Sequence, residues 1–486
     1  MPNPAGIRKT VIIGAGFGGI GMAIRLKRSG MDDFVILERA SGVGGVWFAN
    51  AYPGAACDVE SHLYSYSFET NFDWERPHGN RSEILRYFEH CLRKYDLVKH
   101  IRFNTNVATA DFDEANGAWS VRTEDGETLH TKALISACGL FNSPSIPHLN
   151  GIETFNGARF HSAQWDAAFD PRGRRIAIIG TGCSAAQFVP EIVGAADKLT
   201  VFQRTPAFVG PRQEKAFSDR QRRLYRLFPI LRRIDRYKIF YRTEKNFRVQ
   251  EEPELRKARG KEVAVFVTSQ VTDEAKRAKL LPPYEAGCKR NVRSGTFLKA
   301  LDRPNADVIT SGIDHVTADA IVTKDGASYP VDTIIYGTGF TPSNYLSTFQ
   351  VRGLNGQNLR DAWKDGPEAY LGIGVSGFPN FFMIYGPNTN APASIIFMIE
   401  CQIGYILKCL RAIESKKLRY MDVASGIQAA FNEEVQGKLK ATSWASGCTS
   451  YFMNAAGKIV TQWPGTSHKY WLRTRKLDLD DYRLMR

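Results

Sequence analysis

Gly14-Ala15-Gly16-Phe17-Gly18-Gly19 and Gly180-Thr181-Gly182-Cys183-Ser184-Ala185 are two copies of one design within a single chain. Each follows an apolar run, Thr10 to Ile13 and Ile176 to Ile179, and each opens a stretch with helical periodicity. Glycine suits such a turn because the backbone bends sharply there and a pyrophosphate must approach it closely. The N–H groups at the start of the helix then favour an anion. Twenty-four residues after each first glycine the copies part: Glu38 in one, Arg204 in the other. That position ends the second strand of such a module, beside the adenosine ribose. A carboxylate there accepts hydrogen bonds from both ribose hydroxyls, whereas an arginine pairs with a 2′-phosphate. The chain is therefore expected to hold two dinucleotides, with FAD and NADPH the natural pair. One glycine fingerprint alone could be a bare turn; two copies with matched flanks and matched offsets favour two cofactors.

Outward from these turns, residues 8–38 read as strand, turn, helix (about Phe17 to Ser29) and strand. Residues 132–140 form a buried strand ending in glycine, and Phe141 to Pro147 makes a Pro/Ser-rich exit. The second module gives a strand at Arg175 to Ile179, a helix over about Ser184 to Ala195 and a strand at Leu199 to Gln203. A basic, helix-rich insert follows to about Leu281. Asp332 to Phe340 resembles the earlier strand-to-glycine exit and is read as the return crossing into the first domain. Phe378 to Asn390 reads as a buried strand and polar turn, and Phe397 to Ile413 as a partly apolar helix. The expected division is 1–147, a linker at 148–173, a second domain at 174–330 with its insert at about 210–285, and a return to the first domain at 331–486. The fold class is α/β, with two Rossmann-like dinucleotide-binding domains and a helical insert in the second.

A length of 486 residues suits two domains of ordinary size, and 43% apolar with 23% charged residues suits a soluble globular chain. No apolar run approaches the roughly 20 residues that span a bilayer. Met1 to Lys9 reach the first strand too soon for a targeting peptide, so a cytoplasmic location is expected. The eight cysteines include no C-x-x-C pair and no Cys/His metal spacing, so no metal site is expected. The missing pair also argues against a flavoenzyme that reduces disulfides. The net charge of +14 is partly concentrated in Arg220 to Arg248, which holds eleven Arg/Lys interleaved with apolar residues and broken by Pro229. Such a stretch can make weak peripheral contact with a membrane surface. A solvated helix face is the preferred reading, because runs of charge are usually exposed. No nucleic-acid module is evident, so no nucleic-acid partner is expected.

Between the modules lies Phe155-Asn156-Gly157-Ala158-Arg159-Phe160-His161-Ser162-Ala163-Gln164-Trp165-Asp166. It resembles the Baeyer–Villiger monooxygenase fingerprint F-x-G-x-x-x-H-x-x-x-W-P/D at Phe155, Gly157, His161, Trp165 and Asp166. Gly44-Gly45-Val46-Trp47, then Tyr52-Pro53-Gly54 and Asp58, resemble the second signature of that family. Gly287-Cys288-Lys289-Arg290 is similar to the segment carrying its active-site arginine. The resemblance spans nearly the whole chain. It implies an FAD domain, an NADP domain and a helical insert. It further implies oxidation of a ketone to an ester or lactone by O2 and NADPH, through a flavin C(4a)-peroxide.

On that resemblance, Arg290 is the expected catalytic residue, a fixed positive charge beside the anion that attacks the carbonyl. Asp58 is its expected partner. Gly14, Gly16, Phe17, Gly19, Glu38, Gly45, Trp47, Tyr64, Val107 and Asn388 are expected at the flavin. Gly180, Thr181, Gly182, Ser184, Arg204, Thr205 and Lys289 are expected at the nicotinamide cofactor. His161 is expected in the interdomain linker, coupling cofactor events to motion rather than acting on substrate. Past Arg290 the family pattern loosens at Ser294 to Phe297, which leaves the pocket shape open there. The stretch Trp444 to Cys448 through Trp463-Pro464-Gly465 resembles the hydroxyacetophenone-oxidising branch, its aromatics lining a tunnel or filling a core. Three rivals stand beside this reading: a flavin enzyme oxidising amines or sulfides, an uncoupled NADPH oxidase, and a non-catalytic flavin-binding interaction protein. Trp165-Asp166 and Arg290 argue against the first. The ketone and the oligomeric state are not legible.

Overall fold

The computed structural model describes residues 6–486 apart from 71, 214, 342–344, 347, 448, 449, 451 and 455. Two sheets organise it. In the first, the strand Arg8–Ile13 lies between Phe34–Leu37 and Thr128–Ser136, parallel to both. Phe34–Leu37 and the later parts of the other two strands, Val11 to Ile13 and Ala133 to Ile135, are apolar and buried because both faces are covered there. Val107–Asp113 and Ala118–Thr123 continue the sheet as an antiparallel meander. Gln350–Arg352 and Phe381–Met383, from far along the chain, pair in parallel with Val107–Asp113 and Thr128–Ser136. The C-terminal part therefore completes the first sheet.

The second sheet is fully parallel, in the order Ala306–Ile309, Lys198–Phe202, Arg175–Ile179, Thr333–Tyr336, Ala158–His161. Two sequence expectations need correction here. The fingerprint segment is not a free linker, since Ala158–His161 is the edge strand of this sheet. Nor does the chain leave the second domain at residue 330, because Thr333–Tyr336 pairs on both sides within it. A strand buried on two faces reads alike in either sheet, so its apolar pattern carries no sign of which neighbour it takes. The return crossing follows at Gly337–Phe340.

Each glycine turn sits at the carboxyl end of its sheet's strand. Gly14 and Gly180 adopt φ of +103° and +105°, and a Cβ on either would meet a backbone carbonyl, Ala137 O at 2.8 Å or Gly337 O at 2.6 Å. The helices that follow, Phe17–Arg28 and Cys183–Ile192, start at Gly16 and Gly182 with no side-chain cap.

The insert contributes helices Asp219–Leu227, Pro229–Lys245, Arg248–Glu251, Pro253–Gln270 and Glu274–Leu280. The break falls before Pro229, which opens its helix at a position where the missing N–H costs nothing. Among the described residues no helix is long and apolar enough to cross a membrane.

Candidate active site

One continuous cleft of about 2000 Å³ runs between the two glycine turns. Gly14, Gly16, Phe17 and Glu38 line it from the first sheet, and Gly180, Thr181, Gly182, Ser184, Arg204 and Thr205 from the second. The structure thus brings both fingerprints to a single space.

The two uncapped helix starts leave backbone N–H groups for an outside acceptor. Gly19 does not line the cleft. A Cβ there would lie 1.9 Å from Gly14 O, so its glycine serves the close approach of helix to turn. The corresponding residue of the second module is Ala185, fully buried.

Glu38 is nearly buried, and its two carboxylate oxygens accept from Ala15 N at 2.7 Å and Ala40 N at 2.8 Å. These bonds fix the carboxylate while leaving lone pairs for further donors. Arg204 is exposed in the cleft, and neither it nor Lys289 has a carboxylate partner among the described residues. The Lys289 ammonium lies 5.0 Å from the centre of the Tyr284 ring. Burial, with the Arg204 charge adding to it, pushes the Lys289 amine below its usual range. Two cations held near each other without a counter-ion form a place for a doubly charged anion.

At the middle of the cleft the Arg290 guanidinium donates to Asp58 Oδ2 at 2.7 Å. Burial pushes the Asp58 carboxyl up, but the charge and hydrogen bond of Arg290, with the charge of Arg293, more than reverse it. The carboxyl settles below the ordinary carboxylate value, so the pair is ionised. Trp47 borders the same space; its indole N–H donates to Tyr64 Oη at 3.0 Å. Arg81 holds the short helix Val46–Ala49 by donating to the carbonyls of Trp47 and Phe48 at 2.8 and 3.0 Å. Gly45, at φ +56°, Tyr64 and Val107 also line the cleft.

Asn388 departs from expectation. Buried and outside the cleft lining, it donates to the carbonyls of Ile459 and Gln462 at 2.9 and 3.0 Å. Its amide ties two chain segments together, and it is Asn390 that reaches the cleft. The C-terminal aromatics divide: Trp444 lines the cleft, whereas Trp463 packs on Tyr470 with ring centres 5.1 Å apart. Cys448 lies outside the described residues.

The fingerprint residues stand behind the cleft rather than in it. Phe155 is buried, and a Cβ at Gly157 would meet Asp332 O at 2.3 Å. His161 is fully buried; its Nδ1 accepts from Ala163 N at 3.0 Å, and its ring meets Phe340 of the return crossing edge-on. Burial holds the imidazole below its ordinary range, against an opposing pull from the Gly339 backbone. Trp165 packs on Phe160 and Phe188. Asp166 accepts from Ala168 N at 2.9 Å in an exposed turn.

Gln187, on the helix Cys183–Ile192, is a residue that sequence reasoning missed. Its Oε1 accepts from Tyr52 Oη at 3.0 Å and Ala56 N at 3.2 Å, and its Nε2 donates to Ala56 O at 2.8 Å. The second module thereby clasps the loop of the first that carries Asp58. A glutamine one turn into the helix, flanked by the apolar Ala185, Ala186, Phe188 and Val189, was the available signal.

Two dinucleotide cradles of opposite charge around one cleft define an oxidoreductase that passes electrons between nucleotides. Comparison with known proteins specifies this class. Residues 11–220 match the family model described as pyridine nucleotide-disulphide oxidoreductase. The chain is 40% identical to a Baeyer–Villiger monooxygenase of Pseudomonas aeruginosa, over all of this chain and 93% of that protein. Cyclohexanone monooxygenase from Rhodococcus sp. Phi1 bound to NADP+ superposes with a TM-score of 0.90 at 26% identity, covering 99% of each chain. OTEMO in complex with FAD and NADP superposes at 0.89 with 27% identity, covering 98% of this chain and 99% of that one. The chain belongs to the Baeyer–Villiger monooxygenase family.

Proposed function

We propose that the chain converts ketones to esters or lactones, taking one oxygen atom from O2 and two electrons from NADPH, with the second oxygen leaving as water. The observation that carries this reading is the ionised Arg290–Asp58 pair in the cleft between two unlike dinucleotide cradles.

FAD fits the first cradle. The uncapped helix start at Gly16 faces its pyrophosphate, and the fixed Glu38 carboxylate suits a ribose with both hydroxyls free. Phe17, Gly45, Trp47, Tyr64 and Val107 wall the flavin. NADPH fits the second. Thr181, Gly182 and Ser184 take its pyrophosphate, and Arg204, Thr205 and Lys289 take the 2′-phosphate. When bound, FAD supplies the relay of electrons from NADPH to O2. The protein groups do the rest. Arg290 offers a permanent positive charge to the negative charge that grows as oxygen attacks the carbonyl. Asp58 holds that guanidinium in register. Gln187 and Tyr52 keep the Asp58 loop against the second module, and the buried His161 sits where the chain crosses between domains. The FAD portion follows the first sheet and the NADP portion the second, including Ala158–His161 and Thr333–Tyr336.

Arg290→Ala tests the role directly. The variant should still bind FAD and consume NADPH, while ester formation falls by roughly 10²–10³-fold or more. Ester formation at the native rate would remove Arg290 from the chemistry.

A further inference from the structure

The two insert helices Asp219–Leu227 and Pro229–Lys245 sit with their faces inverted. Three arginines point into the protein. Arg236 donates to the carbonyls of His62, Leu63 and Ser65 at 3.1, 3.1 and 2.8 Å. Arg232 reaches Thr70 O at 3.4 Å, and Arg222 pairs with Asp73 at 2.8 Å. The cause lies in the partner surface: the loop after Asp58 presents bare backbone carbonyls and a carboxylate, which need donors rather than aliphatic side chains. Asp235 turns inward as well, to His62 and Tyr225.

The consequence is an apolar ridge in water. Leu227 is 61% exposed, Phe228 54%, Ile230 57%, Ile234 43%, Tyr237 63% and Tyr241 64%. On Pro229–Lys245 the exposed residues Ile230, Ile234, Tyr237 and Tyr241 are spaced four, three and four apart, so their side chains share one helix face and run about 17 Å along it, with Leu227 and Phe228 at the break before it. Ridges of this kind on soluble proteins mark an interaction surface. Its flanks are basic. Arg220, Arg223, Arg233, Lys238 and Lys245 are exposed and form no ion pair among the described residues, and Asp219 is the one exposed acid described in these two helices.

We propose that this helix pair docks the chain on an anionic lipid surface. The ridge enters the interfacial layer while the five flanking cations meet headgroup phosphates. Charge decides between occupants. A second copy of this chain would bring two sets of unpaired cations together around the ridge. An anionic bilayer offers the opposite charge around an apolar interior. Tyrosines at 237 and 241 suit the interfacial depth, with an apolar ring and a polar tip.

Co-sedimentation of the FAD-loaded protein with vesicles tests this. It should pellet with phosphatidylcholine–phosphatidylglycerol vesicles, much less with phosphatidylcholine alone, and be released by added salt. Ile230→Glu/Ile234→Glu/Tyr237→Glu should lower the bound fraction roughly tenfold or more, with flavin content and circular dichroism unchanged. Arg233→Gln/Lys238→Gln, confined to exposed side chains, should weaken binding to the anionic vesicles alone. Failure to bind either vesicle, or equal binding to both, would overturn the proposal. So would sedimentation velocity that found a dimer dissociated by the glutamate variant, which would assign the ridge to a second copy.

Discussion

The two glycine turns make the same backbone shape with different side chains around it. Gly14 and Gly180 share a positive φ within a few degrees, and in both a Cβ is blocked by a carbonyl of the neighbouring strand exit. The next helix starts without a side-chain cap in both. The differences come later. A Cβ on Gly19 would lie 1.9 Å from Gly14 O, whereas the second module accommodates the methyl of Ala185. Glu38 is pinned by two backbone N–H groups, while Arg204 stands open beside Lys289. Shared backbone geometry makes each module a nucleotide cradle. Which nucleotide enters is decided at the far ribose, by charge.

Substitutions at the turns probe the shared part and should have the largest effects. Gly14→Ala should give a colourless protein that retains no flavin. Gly180→Ala should keep its flavin yet lose reduction by NADPH. Each strained φ adds about 1–3 kcal/mol, beyond the clash itself. Absorbance of the purified variants with and without NADPH separates the two, and identical losses would dissolve the distinction between cradles. Gly19→Ala and Ala185→Gly sharpen the contrast within the helices. The first should fail to fold around flavin, while the second should cost only about 1 kcal/mol in thermal unfolding.

Arg204→Ala should weaken NADPH by roughly 10–100-fold in KM, on the order of 1.5–3 kcal/mol, and leave NADH nearly unchanged. An unaltered ratio of NADPH to NADH use would displace the 2′-phosphate from this cation pair. The smallest effect concerns pH. The folded Asp58 carboxyl lies below its ordinary value. Its contribution is therefore complete above that ordinary value and disappears as pH falls through the lower, folded one. Ketone oxygenation by the native protein should persist to an acid limb below the usual carboxylate range. Asp58→Asn should lower the plateau and remove the part of the limb that belongs to this group. An unchanged acid limb in that variant would show that another group sets it.

Much of this arrangement was legible from residue types and spacing. The turns were readable because a blocked Cβ leaves only glycine, and the opposite charges because they recur at one offset. Arg290 and Asp58 lie far apart in the chain, and a family resemblance, not spacing, pointed to their pairing. Other features escaped because they depend on neighbours. Asn388 has the look of a polar turn residue at a site, but its Nδ2 is spent on the carbonyls of Ile459 and Gln462, and its buried Oδ1 has no partner among the described residues. Thr333–Tyr336 could belong to either sheet by composition. The charge run at Arg220 to Arg248 suggested a solvated basic face, yet the carbonyls of residues 62–65 draw Arg236 inward and leave aliphatic side chains outside. Gln187 carries no motif; its role exists only once the Tyr52–Ala56 loop lies against its helix.

The most direct test of two unlike cradles serving one oxygenation is turnover of the FAD-loaded protein with NADPH, a cyclic ketone and 18O2, followed by product mass and hydrogen peroxide assay. One lactone carrying a single heavy oxygen should appear for each NADPH consumed, with little peroxide. Peroxide equal to the NADPH consumed, and no labelled lactone from any ketone offered, would contradict it.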